Sequence, residues 1–77
     1  KRGAVVRRFE LHRDVDATGV SGVGRVAQGV AFDNGYVGLT WLTLHTSVAF
    51  YPSMSTLEAI HGHHGQTRLV WLDPERE

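Results

Sequence analysis

The amino-acid sequence predicts a mainly β domain, a small SH3-like five-stranded antiparallel barrel with one short helix before its last strand. Three observations point there. Apolar residues alternate with polar ones through most of the chain, residues 33–35 read Asp-Asn-Gly, and the pattern switches to helical spacing after Pro52 before reverting to strand.

The first strand is read from VRRFELH, where Phe9 and Leu11 alternate with Arg8, Glu10 and His12, leaving one wet face. A long glycine-containing loop follows. RVAQGVAF then sets Val26, Val30 and Phe32 on one side, with Gln28 the exception, and the small residues Ala27, Gly29 and Ala31 on the other. Either something packs closely against that second side or the strand bends at Gly29. Asn34 and Gly35 tolerate the positive φ of tight hairpins, so the flanking strands should pair antiparallel. YVGLTWLTL places Val37, Leu39 and Trp41 on one face and Leu42 and Leu44 on the other, which predicts cover on both sides; SVAFY supplies a short fourth strand. In SMSTLEAIHG, Ser55 and Glu58 make a capping box, Leu57 and Ile60 lie at helical spacing, and Gly62 suits a left-handed C-terminal position. TRLVWL, apolar on both faces, is the last strand, either central or roofed by the helix or a second subunit. No repeat or linker divides the chain, so a single small domain over residues 1–77 is expected, its ordered core running from about residue 5 to about 73.

Composition excludes several functions. Cysteine is absent, which removes disulfides and thiolate metal sites and fits a reducing compartment. No apolar run approaches the roughly 20 residues that span a bilayer. A soluble protein of the cytoplasm and no membrane partner are the expectation. Eight basic residues balance eight acidic ones, so the field needed for nonspecific nucleic-acid binding is lacking. Local asymmetry remains: Lys1, Arg2, Arg7, Arg8 and Arg13 weight the N-terminal part, Asp73, Glu75 and Glu77 the C-terminus. Solvated ends explain this better than a DNA-contacting arm.

Two polar segments are where chemistry would sit. In DVDATGVSGVGR, Gly19, Gly22 and Gly24 let backbone N–H groups converge on an anion, and Thr18, Ser21 and Arg25 add donors. Neither a Walker pattern nor a dinucleotide fingerprint is present, since a strand and not a helix follows. A loop needing flexible hinges is the plain alternative, and Asp14 and Asp16 offer sites for a cation, a base or a partner's arginine. In IHGHHGQTR, His61, His63 and His64 have spacing compatible with partial zinc ligation, with His12 or His45 completing the set only if the fold brings them close. A sharp polar connection is the favoured reading there, and no metal and no cofactor are assigned. A neutral His63 or His61 with Thr67 and Arg68 makes a donor set for phosphate or a base edge. No catalytic triad is legible, and a domain this small encloses a dry pocket only with help from another subunit. Trp41 and Trp71 are read as core, with base stacking the alternative.

FELHRDVDATGVSGVGRVAQGVAF, LTWLTLHTSVAFYPS and IHGHHGQTRLVWLD resemble a group of small bacterial and phage-encoded proteins with a TGVSG-x-G loop, a W-L-T strand and an IHGH-x-G-x-T segment ending in VWLD. The resemblance runs from Phe9 to Asp73, with His64 at the variable position of the histidine segment. It implies a phage or mobile-element accessory role, in the host cell's cytoplasm if phage-encoded, and brings no mechanism with it. The resulting expectation is a non-enzymatic, homo-oligomeric binding domain. Thr18, Gly19, Ser21, Gly22, Gly24, Arg25, His61, His63, Thr67 and Arg68 would jointly hold an anionic, nucleotide-like ligand, sequestering a host signalling nucleotide in an anti-defence role. The alternatives are a module that docks on a host enzyme or virion component and, behind it, a histidine metalloenzyme.

Overall fold

A computed structural model describes residues 6–14, 24–62 and 67–75. They form β1 (Arg7–Arg13), β2 (Gly24–Ala31), β3 (Val37–Trp41), β4 (Val48–Tyr51), α1 (Met54–His61) and β5 (Thr67–Trp71). All strand pairs are antiparallel, and the sheet runs β4-β3-β2-β1-β5. It does not close into the expected barrel. β4 and β5 form its two outer edges, and the chain joining them includes α1, which covers one face of the sheet and fills the space that pairing of the edges would have enclosed.

Alternation in β1 sets the two faces. Phe9 and Leu11 are buried, and with Val26, Ala27, Val37, Leu39 and Leu57 of α1 they make the core. Register carries this face across the sheet: Phe9 lies opposite Gly29 and Trp71, Leu11 opposite Ala27 and Leu69, and Gly29 opposite Leu39. The small residues of β2 therefore accommodate Phe9, which realises the first of the two alternatives read from the sequence, close packing against that side. A Cβ on Gly29 would lie 2.3 Å from the Gly38 carbonyl oxygen and 2.6 Å from Phe9 Cζ, so only glycine fits. Val26 and Val30 do not share a face as their spacing suggested. A register shift between Leu11 and His12 inserts an extra residue in β2, which sends Val26 into the core and leaves Arg25 opposite His12.

The hairpin between β2 and β3 forms at Asp33, Asn34 and Gly35. Gly35 takes φ +95° and donates its N–H to Phe32 O at 3.0 Å, while Phe32 N–H reaches Tyr36 O at 2.8 Å. Asn34 Oδ1 accepts from Tyr36 N at 3.1 Å, a side-chain turn contact that any longer residue would lose. Leu42 and Leu44 are exposed and not covered, because β3 ends at Trp41 and Thr46 Oγ1 turns the chain by bonding the Trp41 carbonyl.

Three details of the helix differ from the expectation. The N-cap is Ser53 and not Ser55: Ser53 Oγ accepts from Thr56 N at 3.1 Å, since the chain leaves its extended conformation two residues earlier than the capping-box pattern implied. Gly62 is right-handed, φ −70°, and continues the helical bonding with its N–H on Glu58 O at 2.8 Å. Ile60 is exposed, because an eight-residue helix lying on a sheet buries one narrow stripe, here Leu57 with Met54 beside it. β5 is an edge strand that packs Leu69 and Trp71 against the core, and Trp71 meets Phe9 edge-on at 5.6 Å with the Arg7 guanidinium 3.7 Å from its ring centroid. Trp41 likewise packs on the core, as its strand-interior position suggested.

The chain ends are tied together at Asp73. Its Oδ2 accepts from Arg8 N at 2.8 Å and from Arg8 Nε at 3.0 Å, its Oδ1 from Arg8 Nη2 at 2.8 Å, and its carbonyl oxygen takes weaker bonds from Arg7. The side-chain bonds from Arg8, ahead of the backbone bond, hold the Asp73 carboxyl at about 2, well below its ordinary 3.8.

Two stability outcomes follow from these contacts. Gly29→Ala should lower the unfolding free energy in chemical denaturation by about 3 kcal/mol, the upper range for overpacking, because backbone and ring both obstruct the added carbon; an unchanged midpoint would refute the close packing of Phe9. Since the folded-state pKa of Asp73 is depressed, its contribution is present above about 3.8 and is lost as pH falls toward about 2. Asp73→Asn should therefore lessen the acid-side decline in thermal stability across that window, leaving the smaller contributions of other lowered carboxyls.

Candidate functional site

The face of the sheet opposite α1 is open, and β1 governs what it displays. Arg8, Glu10 and His12 point there, and register continues each into a row across the strands. Phe50, Gly38, Val30 and Arg8 make one row; Val48, Thr40, Gln28, Glu10 and Val70 the next; Arg25, His12 and Arg68 the third. In the third row β1 stands between β2 and β5, so Arg25 and Arg68 flank His12 from either side, their Cα atoms about 10 Å apart from two inter-strand spacings. A groove of about 450 Å³ runs over this face, lined by Arg8, Glu10, Arg25, Gln28, Thr40 and Phe50 among others. That volume lies within the range of small-molecule sites.

The polar groups are mutually engaged. Glu10 Oε1 is 2.8 Å from His12 Nε2, and Glu10 Oε2 accepts from Arg25 Nη1 at 3.2 Å. Arg68 binds Asp14 with both prongs, Nε to Oδ2 at 2.9 Å and Nη2 to Oδ1 at 3.1 Å. The bond to His12 does most to hold the Glu10 carboxyl below its ordinary value, with Arg25 adding to it against burial; the Arg68 bond does the same for Asp14. Glu10 and His12 are the better-buried members, their side chains 16% and 28% exposed, against 52% for Arg25 and 54% for Arg68. The arginines thus project outward over an anchored carboxylate–imidazole pair. Exposed ion pairs of this kind are weakly held, so a ligand phosphate can replace the carboxylates as the guanidinium partner.

The residues singled out in the sequence separate. Arg25 and Arg68 share the open face. Thr67 faces the core side, where its Oγ1 accepts from Arg13 Nε at 3.3 Å. His61 also lies on that side, its Nε2 2.7 Å from Tyr51 Oη and its ring edge-on to Trp41 at 5.0 Å. Gly24 opens β2 at φ +85° and is paired with Arg13. Thr18, Gly19, Ser21, Gly22 and His63 lie outside the described residues, as does His64. Yet the anchors of both polar segments meet at one end of the sheet: Arg13 pairs with Gly24 on one side and Thr67 on the other, and Thr67 N–H bonds Gly62 O at 3.2 Å. His12 and His61 sit on opposite faces, and among the described residues no three histidine, aspartate or glutamate side chains gather as a metal-holding group. Glu10 and His12 were missing from the sequence-derived set. The signal was available, since both fall on the wet positions of the first alternating strand, but their neighbours across the sheet are not encoded in that spacing.

Residues 6–73 match the Acb5 phage protein family, a span that takes in every strand and the helix. The chain belongs to the Acb5 phage protein family. The Acb5 match supports the phage setting suggested by the sequence segments without separately testing those segments. No curated protein and no solved structure matches the chain. Among the described residues of this Acb5 protein no helix is long and apolar enough to cross a membrane.

Proposed function

We propose that this Acb5 protein captures an anionic, nucleotide-like ligand on the open face of its sheet, as a phage accessory protein that withdraws a host signalling nucleotide. One observation carries the reading: Arg25 and Arg68 stand on either side of His12 in a single cross-strand row. Two guanidiniums so placed clamp a phosphate above the imidazole, exchanging Glu10 and Asp14 for phosphate oxygens. Gln28 and Thr40, adjacent in the next row, offer amide and hydroxyl groups to a base or ribose lying in the groove. His61 and Thr67 act from the covered side, holding the ends of the histidine segment and not the ligand.

A second reading is favoured by the Glu10–His12 pair. A carboxylate and an imidazole 2.8 Å apart between two arginines are suited to cleaving a ribonucleotide phosphodiester. Glu10 takes the ribose 2′-hydroxyl proton, O2′ bonds to phosphorus, the P–O5′ bond breaks, and protonated His12 supplies the leaving oxygen with its proton. The arginines offset the charge that gathers on the phosphoryl oxygens.

One experiment separates these outcomes. Linear and cyclic 3′,5′-linked ribodinucleotides, with their 2′-deoxy counterparts, are titrated by calorimetry and the mixtures then resolved by mass spectrometry. Capture predicts saturable binding with intact nucleotide, weakened about tenfold or more by Arg25→Ala or Arg68→Ala, since each removes a charge-assisted hydrogen bond. Cleavage predicts a 2′,3′-cyclic phosphate product from the ribo probes alone, abolished by His12→Ala. Absence of binding to every probe, or affinities indifferent to both arginine variants, would refute the site.

A further inference from the structure

We infer that a second copy of this chain docks against the apolar half of the open face. The inference shares its groove with the ligand reading but turns on the Phe50 row and not on the Arg25, His12 and Arg68 row, so each fails on its own residues. The face divides by row, and the row of Phe50, Gly38, Val30 and Arg8 carries exposed apolar residues at both of its ends. At the β4 edge Phe50 and Val48 are 68% and 65% exposed, and Leu72, whose N–H bonds Arg8 O beside β1, is 46% exposed. The Phe50 ring leans over Gly38 of β3, where an added Cβ would come to 3.0 Å from it, and its outer side stays exposed. Beside it the groove runs along Gly29 and Val30 toward Leu72. A projecting ring and a receiving groove therefore occupy one surface of one chain.

That combination is self-complementary. In a two-fold pair each Phe50 enters the groove of its partner, the arrangement that an isologous interface requires. Charge agrees with the same occupant. The cations bordering the groove are matched within the chain, Arg8 by Asp73 and Arg25 by Glu10, and the whole sequence carries no net charge, so two identical faces approach without repulsion. A strongly acidic or basic partner finds no unmatched field there to recognise. Size also favours it: one sheet roofed by a single eight-residue helix buries little apolar surface, and a facing sheet about 10 Å away would double the cover.

The test is the solution mass of the full chain by light scattering, with wild type, Phe50→Asp and Leu44→Asp compared at equal concentration and circular dichroism confirming the fold of each. Leu44 is 92% exposed but lies beyond β3, off this face, and serves as the control for loss of an exposed apolar side chain. Wild type and the Leu44 variant should share one assembly, and Phe50→Asp should halve its mass, raising the dissociation constant about a thousandfold because the change acts twice across a two-fold axis. A monomeric wild type, or an assembly that survives Phe50→Asp, overturns the inference. The two claims are read from different variants: the mass of Phe50→Asp decides the docking, whereas nucleotide titration of Arg25→Ala and Arg68→Ala decides the ligand site.

Discussion

Phe9 resting on the backbone of Gly29 is the contact on which the rest of the molecule depends. β1 lies inside the sheet, bonded to β2 on one side and β5 on the other, and the fully buried ring of Phe9 fits over β2 only because Gly29 has no side chain. With Phe9 inward, Leu11 follows, and α1 must cover that face with Leu57. Strand alternation then leaves no choice for Arg8, Glu10 and His12, which emerge on the opposite side. The geometry of the open face is in this sense a by-product of packing on the covered one.

The same dependence explains why the polar row is ordered despite its exposure. The register shift after Leu11 brings Arg25 opposite His12 where an uninterrupted ladder would have placed Val26, and the extra residue is absorbed into the core. A bulge here changes the chemistry of the surface by re-aiming one side chain, a common use of such irregularities. Each guanidinium in the row is already matched by a carboxylate, so the proposed selectivity for a ligand would come from replacing specific bonds in a fixed geometry and not from a long-range field. The proposed capture of an anion by a neutral phage protein is consistent on this basis: discrimination would reside in the fork geometry of two arginines, and the absence of net charge suppresses indiscriminate attraction to nucleic acid.

The two halves of the open face also make different physical demands. The Arg25, His12 and Arg68 row needs water nearby, because its ion pairs are stable exposed and would be costly to bury unexchanged. The β4 side, with Phe50 and Val48 projecting, gains from losing water. Placing both on one sheet lets cover over the apolar half deepen the groove while leaving the polar row accessible.

The sequence by itself determined the strand periods, the turn at Asp33 to Gly35, the presence and place of the helix, and the wet face bearing Glu10 and His12, since these follow from local sterics and from alternation along one strand. It also marked Gly29 as a point of either close approach or bending. Tertiary structure alone decided that the sheet stays open, that Ser53 and not Ser55 caps the helix, and that Arg25 and Arg68 share a face from which His61 and Thr67 are excluded. The reason is register. Which residues meet across strands depends on a single inserted position in β2 and on pairing between segments more than fifty residues apart, and no spacing within either segment records it.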